Sequence, residues 1–216
     1  MDFNNLYPDV VRFKPDEGFL KHLGFNSCLY FTSDVELMDT LEEEVEGVFP
    51  GYLVCAKDTK ELKQKLRSAK KDWIVGVVAK NESVLRNAIS RKKVDILLDF
   101  TGNRIDYISL KMCEEKDVAI EISFRKFLET KGVKRMREIE HTVDIIRFSK
   151  KLSTPVIFSS SAKSPVEMRS VRQLKEFFEF LGGDFEKGIL SLRKILKRYF
   201  DDTYILDGLE IIQEDV

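Results

Sequence analysis

Histidine is nearly absent from this chain of 216 residues, which has only His22 and His141. Neither stands at metal-ligand spacing from a cysteine or from the other histidine, so each reads as structural. The three cysteines, Cys28, Cys55 and Cys113, are scattered without a C-x-x-C pair, and they read as reduced, buried thiols of an intracellular protein. The longest unbroken apolar run, Trp73–Ala79, is far too short to cross a membrane. The amino-terminal MDFNNLYPDV lacks the basic-then-apolar pattern of a signal peptide. These absences predict a cytoplasmic protein without membrane association. The chain also lacks a glycine-rich dinucleotide fingerprint, a P-loop, and the G-x-S-x-G and H-E-x-x-H motifs.

What is present is charge, unevenly spread. Charged residues make up 34% of the chain, yet the net charge is only −1. Asp34–Glu46 holds seven acids and no base, whereas Lys60–Lys93 holds eleven bases against three acids. From Arg125 to Arg198 the bases outnumber the acids 18 to 9, and after Phe200 there are six acids and no base. A solvated helix face explains any single run. The asymmetry as a whole resembles a field that steers an anionic partner.

Short apolar runs alternate with amphipathic segments. Strands are expected at Val10–Phe13, Phe25–Phe31, Gly51–Ala56, Trp73–Ala79, Val94–Asp99, Val118–Ser123, Pro155–Ser159 and Thr203–Leu206, with Leu209–Ile212 in addition. Most are continuous Val/Ile/Leu runs, as in parallel strands covered on both faces. Helices are expected over Asp34–Glu46, Asp58–Ala69, Glu82–Arg91, Ile105–Lys116, Lys134–Leu152, Pro165–Leu181 and Phe185–Phe200. Ile139, Val143 and Ile146 recur at helical spacing, as do Leu174, Phe177, Phe178 and Leu181. Eight strands with intervening helices predict an α/β fold, a TIM-barrel-like (β/α) barrel forming one domain over residues 1–216. A doubly wound open sheet is the alternative.

In a barrel the residues just past each strand share one rim, where such folds place their function. Here those residues include Lys57, Lys80, Arg125 and Lys163. The stretch Ser159–Leu174, SSSAKSPVEMRSVRQL, adds more. Ser164-Pro-Val-Glu167 reads as a capping box with proline at the first helical position, and the helix start then offers N–H donors to an anion. Ser159, Ser160 and Ser161 supply hydroxyls, and Arg169 and Arg172 fall at i, i+3 on one face. Arginine's planar fork suits phosphate oxygens. Strand end, hydroxyls, Lys163, helix start and arginines together predict a phosphate-binding surface.

Catalytic groups are scarce. Asp99 and Glu121 lie near the ends of adjacent strands, where they could do acid–base work or pair with rim cations such as Arg125. Pairing is the preferred reading, so no catalytic and no metal-binding residue is assigned.

Three segments carry a family resemblance: KVDILLDF (Lys93–Phe100), EEKDVAIEISF (Glu114–Phe124) and SSSAKSPVEMRSVRQL. In order and spacing they resemble the ribonuclease P protein component 3 family, over roughly Phe25–Leu192, with the S-A-K-S-P-x-x-x-R-S-x-R element the most specific part. The resemblance implies a TIM-barrel-like protein subunit of the ribonucleoprotein that removes the 5′ leader from precursor tRNA. It implies that the RNA subunit cuts, with Mg²⁺ on the RNA and no cofactor in the protein. It also implies a second small α/β protein subunit as partner, help in folding the catalytic RNA, and contact with precursor tRNA only indirectly. RNA-phosphate contacts are carried onto Lys163, Arg169, Arg172 and Arg125. The rim and charge argument adds Lys57, Lys80, Arg86, Arg91, Lys92 and Lys93. Related barrel phosphoesterases begin a metal site with histidines on the first strand, and DVVRF (Asp9–Phe13) has none. The rival reading is a small barrel enzyme that binds a phosphorylated metabolite through Lys163 and uses Asp99 or Glu121. A scaffold that binds no nucleic acid is the third.

Overall fold

The computed structural model describes residues 2–41, 47–99, 106–206 and 209–210, without the side chains of 39–41 and 210. Glu42–Glu46 of the acidic run and residues 211–212 of the last expected strand lie outside them. Among the described residues seven parallel strands form one sheet in sequence order. They are β1 (Pro8–Val11), β2 (Ser27–Thr32), β3 (Val48–Ala56), β4 (Ile74–Ala79), β5 (Ile96–Leu97), β6 (Ala119–Ser123) and β7 (Val156–Ser159). The sheet curls into a nearly closed barrel. Its seam between β7 and β1 is tied outside the regular ladder: Ser161 N–H donates to the Val10 carbonyl (3.0 Å) and Arg12 N–H to the Ala162 carbonyl (2.7 Å).

The helices are α1 (Glu17–His22), α2 (Val35–Leu41), α3 (Thr59–Ser68), α4 (Glu82–Ile89), α5 (Tyr107–Glu115), α6 (Phe124–Glu129), α7 (Gly132–Leu152), α8 (Val171–Phe180) and α9 (Phe185–Phe200). Several start where a short side chain caps the first turn. Asp58 accepts from the N–H groups of Lys60 and Glu61 (2.9 Å each), Asn81 from Val84 (2.9 Å) and Asp106 from Ser109 (2.7 Å).

Strand residues are buried on both faces, as the apolar runs predict. Outward-facing Val54, Val75, Val77, Leu97, Ile120 and Phe158 pack under the helices. Inward-facing Val10, Leu29, Phe31, Phe49, Ile74, Ile96, Leu98, Ala119 and Ile157 fill the barrel. Room for the Phe31 ring is made by missing side chains: a Cβ on Gly51 or on Gly76 would stand 2.6 Å from a Phe31 ring carbon.

The expected eighth strand is not part of the barrel. Tyr204–Leu206 (β8) pairs antiparallel with Leu209–Glu210 (β9) in a separate two-stranded sheet. Instead α9 crosses the N-terminal mouth. Its Leu192, Ile195 and Leu196 enter the interior cluster beside Phe3 and Leu6, and Phe200 packs on Phe49 with ring centroids 5.1 Å apart. Tyr199 donates to Asp95 (2.9 Å) just before β5, and Lys194 to Asp117 (3.0 Å) just before β6.

The helix expected over Pro165–Leu181 is broken. Pro165–Glu167 forms a 3₁₀ turn, Met168 is extended and buried, and α8 starts at Val171. The operative capping box is Ser170 with Gln173, not Ser164 with Glu167. The later start prevails because Met168 is drawn into the core and Val171 N–H donates to the Leu23 carbonyl (2.9 Å).

Candidate nucleic-acid interface

At the C-terminal mouth the inward side chains are polar and mutually neutralised. Glu121, on β6, is 1% exposed. It accepts from Arg12 Nη2 (2.7 Å), Ser159 Oγ (2.6 Å) and Asp99 N–H (3.2 Å). The Arg12 guanidinium also lies 5.2 Å from the Phe31 ring centroid, so the mouth is filled by an ion pair resting on the aromatic plug. Next to it Arg125 donates to the carboxylates of Asp99 and Glu129 and, through Nε, to the Ser161 carbonyl (3.0 Å). An unpaired guanidinium at this depth would be costly, and two carboxylates offset that cost.

The three serines are buried too. Ser159, Ser160 and Ser161 are at most 1% exposed. Ser160 donates through both N–H (2.9 Å) and Oγ to Asp9 across the seam. Burial pushes the Asp9 carboxyl up to about 7, although the bonds from Ser160 and Val10 pull the other way. At the opposite mouth burial likewise raises Asp95 to about 6, against hydrogen bonds from Val75 and Tyr199.

Outside this network the rim carries exposed cations. Lys57 and Lys80 follow the paired ends of β3 and β4, where Ala56 faces Ala79. The Asn81 side-chain amide donates to the Lys57 carbonyl (2.7 Å) and ties the two loops together. Lys163 follows β7, on the other side of the mouth, and is exposed. None of these three has a carboxylate within salt-bridge reach among the described residues. No group of three or more His, Cys, Asp or Glu side chains that could hold a metal ion occurs among the described residues.

Residues 20–200 match the family described as RNase P subunit p30. The chain is 38% identical over 205 residues to ribonuclease P protein component 3 of Archaeoglobus fulgidus, covering 95% of this chain and 96% of that one. It is 24% identical over 227 residues to the same component from Methanocaldococcus jannaschii, covering 96% and 98%. The chain belongs to the ribonuclease P subunit p30 family. Its fold also matches a chain in a cryo-EM structure of archaeal ribonuclease P with mature tRNA, with a TM-score of 0.78 at 21% identity, covering 97% of this chain and all of that one.

For this ribonuclease P protein subunit the residues expected to meet phosphates fall into distinct groups. Lys57, Lys80 and Lys163 stand exposed around the C-terminal mouth. Arg125 does not belong with them, because it is 4% exposed and fully engaged by Asp99, Glu129 and a carbonyl. Nor do Arg169 and Arg172 share a helix face, since Arg169 precedes α8. Arg169 donates to the carbonyls of Val166 (3.0 Å) and Met168 (2.7 Å) and lies 5.8 Å from the Phe124 ring centroid. Arg172 is exposed and pairs with Glu176 (2.8 Å). The anion-binding helix start expected after Lys163 is occupied from within, for the Glu167 carboxylate accepts the Lys163 N–H (2.8 Å). Arg86 is half-buried, paired with Asp106 (2.6 Å) and Glu82. Arg91, Lys92 and Lys93 are exposed, but they precede β5 and therefore lie at the N-terminal end, away from the rim.

Sequence reasoning missed Arg12 and Lys126. Placing the first strand two residues late put Arg12 inside it rather than past its end. Lys126 is near Glu138 (3.7 Å), and burial lowers its pKa. Its helix α6 has only six residues, too few for the Phe124, Phe127, Leu128 spacing to announce it.

Proposed function

We propose that this subunit works in the cytoplasm as a phosphate-binding protein of the ribonuclease P particle. In this reading it holds the catalytic RNA through Lys57, Lys80 and Lys163, with Arg169, Arg172 and Arg86 as weaker contributors already engaged by the protein. The RNA, with its Mg²⁺, cuts the precursor tRNA, and a second small α/β subunit completes the protein partner set. One observation carries the reading: the mouth's carboxylates are neutralised by Arg12, Arg125 and serine hydroxyls, while Lys57, Lys80 and Lys163 have no carboxylate partner among the described residues. An enzyme acting on a phosphorylated metabolite is not favoured. Asp99 and Glu121 are bound to cations, and the Arg12–Glu121 pair fills the space its substrate would need.

The test is reconstitution with a ribonuclease P RNA, precursor tRNA and Mg²⁺. The full chain alone is expected to leave precursor tRNA uncut and to raise cleavage when the RNA is present. Turnover by the protein without RNA would refute the reading. Replacing Lys57, Lys80 and Lys163 by glutamine should lower the slope of log K against log salt by about 2, at roughly 0.7–0.9 for each phosphate no longer neutralised.

A further inference from the structure

A second concentration of positive charge lies at the opposite end of the barrel. Between the lower half of α3 and the α4–β5 loop is a cleft of about 460 Å³, lined by Lys63, Leu66, Arg67, Arg91, Lys92 and Lys93. Five of these six residues are cationic and none is acidic. The charges come from two separate segments brought together only by folding, since α3 packs against both β3 and α4.

Ordinary helix-end chemistry accounts for one of the five. Lys93 Nζ donates to the carbonyls of Leu66 (3.2 Å) and Ala69 (2.8 Å), completing the C-terminal end of α3. The loop carrying it is braced by Arg91 N–H on the Ala88 carbonyl (2.9 Å) and Val94 N–H on the Arg91 carbonyl (3.2 Å). Lys63, Arg67, Arg91 and Lys92 are all exposed, and none has an ion pair among the described residues. Lys65 of the same helix shows the contrast. It pairs with Glu61 (2.8 Å) and donates to the Cys55 carbonyl (2.7 Å). Like charges held together on a braced surface repel one another unless an anion joins them.

We propose that this cleft is a second binding site for RNA backbone phosphates, separate from the C-terminal rim, so that the subunit grips RNA at both ends of its barrel. The inference rests on the RNA-binding reading above and adds Lys63, Arg67, Arg91 and Lys92 to its residues. The six residues of β4, about 20 Å of strand, run from the level of Arg91–Lys93 to the rim at Lys80.

The test uses the full chain and a fluorescein-labelled RNA hairpin, titrated over a KCl series. The variant Lys63→Gln, Arg67→Gln, Arg91→Gln, Lys92→Gln leaves Lys93 in place to hold α3. It should bind roughly tenfold or more weakly, with a salt slope lower by about 3. Combined with the rim glutamine variant, the two slope losses should add. If the cleft variant keeps wild-type affinity and slope while the rim variant loses both, the cleft is refuted and the rim reading stands. If neither variant changes binding, both fail. Displacement of the hairpin by inorganic phosphate at equal phosphate concentration would make this a small-anion site and overturn the proposal. Tighter binding of poly-L-glutamate than of RNA would do the same in favour of an acidic protein partner. Urea midpoints report folding. Should the fourfold variant be destabilised, Lys63→Gln, Arg67→Gln alone carries the test, with a slope reduced by about 1.5.

Discussion

The barrel's two mouths are both closed, by opposite chemistry. At the C-terminal end the closure is ionic: Arg12 rests on Phe31 and binds Glu121, which also holds Ser159. At the N-terminal end it is mainly apolar, with Leu192, Ile195 and Leu196 of α9 meeting Phe3 and Leu6. A buried ion pair contributes little net stability, since desolvation cancels much of the attraction, yet breaking it strands a charge. An apolar plug stabilises in proportion to the surface it hides. Outside them Lys57, Lys80 and Lys163 have no ion pair among the described residues, which separates what holds the fold from what is available to a partner.

The strongest way to break this comparison is Glu121→Ala. It strands the Arg12 guanidinium at the C-terminal mouth and should cost about 3–5 kcal/mol, read from urea denaturation. The double change Arg12→Met, Glu121→Leu should recover most of that loss. If it recovers none, the ionic closure is more than a neutralised pair.

At the apolar mouth Leu196→Ala should cost about 3 kcal/mol, the usual range for a leucine wholly buried in a packed core. A loss well under 1 kcal/mol would show that α9 does not seal the barrel.

The third expectation concerns pH. Asp9 has a folded pKa of about 7, above its ordinary value of 3.8. The folded state therefore binds the extra proton between those values. This group's contribution to stability is fullest below about pH 4, falls as pH rises to about 7, and is level above. Asp9→Asn keeps the bonds from the Ser160 and Val10 N–H groups but cannot ionise. Its stability relative to wild type should improve by about 4 kcal/mol between pH 4 and pH 8. Asp95, raised to about 6 at the other mouth, should act with the same sign and a smaller amplitude. A relative stability independent of pH would show that Asp9 is charged in the fold.

The smallest effect on stability is expected at the rim. Replacing Lys57, Lys80 and Lys163 by glutamine should change it by less than about 0.5 kcal/mol, while RNA affinity and its salt slope fall. Unchanged RNA binding would erase the functional difference between rim and mouth.

Much of this architecture is legible in the amino-acid order. Continuous apolar runs mark β3, β4 and β6, and polar caps at Asp58 and Asn81 mark the helices that follow. The exposed rim lysines are legible for the same reason, since a residue just past a strand end falls on the rim. Arg125 stands in a similar position, yet its burial depends on Asp99 and the Ser161 carbonyl arriving from other parts of the chain. Ser159 and Ser160 look like donors to a ligand until Glu121 and Asp9 are placed opposite them. Ser164 and Ser170 both offer a helix cap within seven residues, and local pattern does not choose between them. The basic run Lys60–Lys93 is legible, but the meeting of Lys63 and Arg67 with Arg91 and Lys92 is not, because the two groups lie more than twenty residues apart.

By itself, then, the sequence determined the class of fold, the family and a surface rich in unevenly placed positive charge. Apolar periodicity, caps and composition are local properties of the chain, and motif order is read directly from it. Only the tertiary structure decided that, among the described residues, seven strands make the barrel with α9 across its floor, which arginines are neutralised inside, and which lysines have no ion pair. Those outcomes depend on burial and on distances between segments remote in sequence. The energy of a charge is set by the groups folding brings around it.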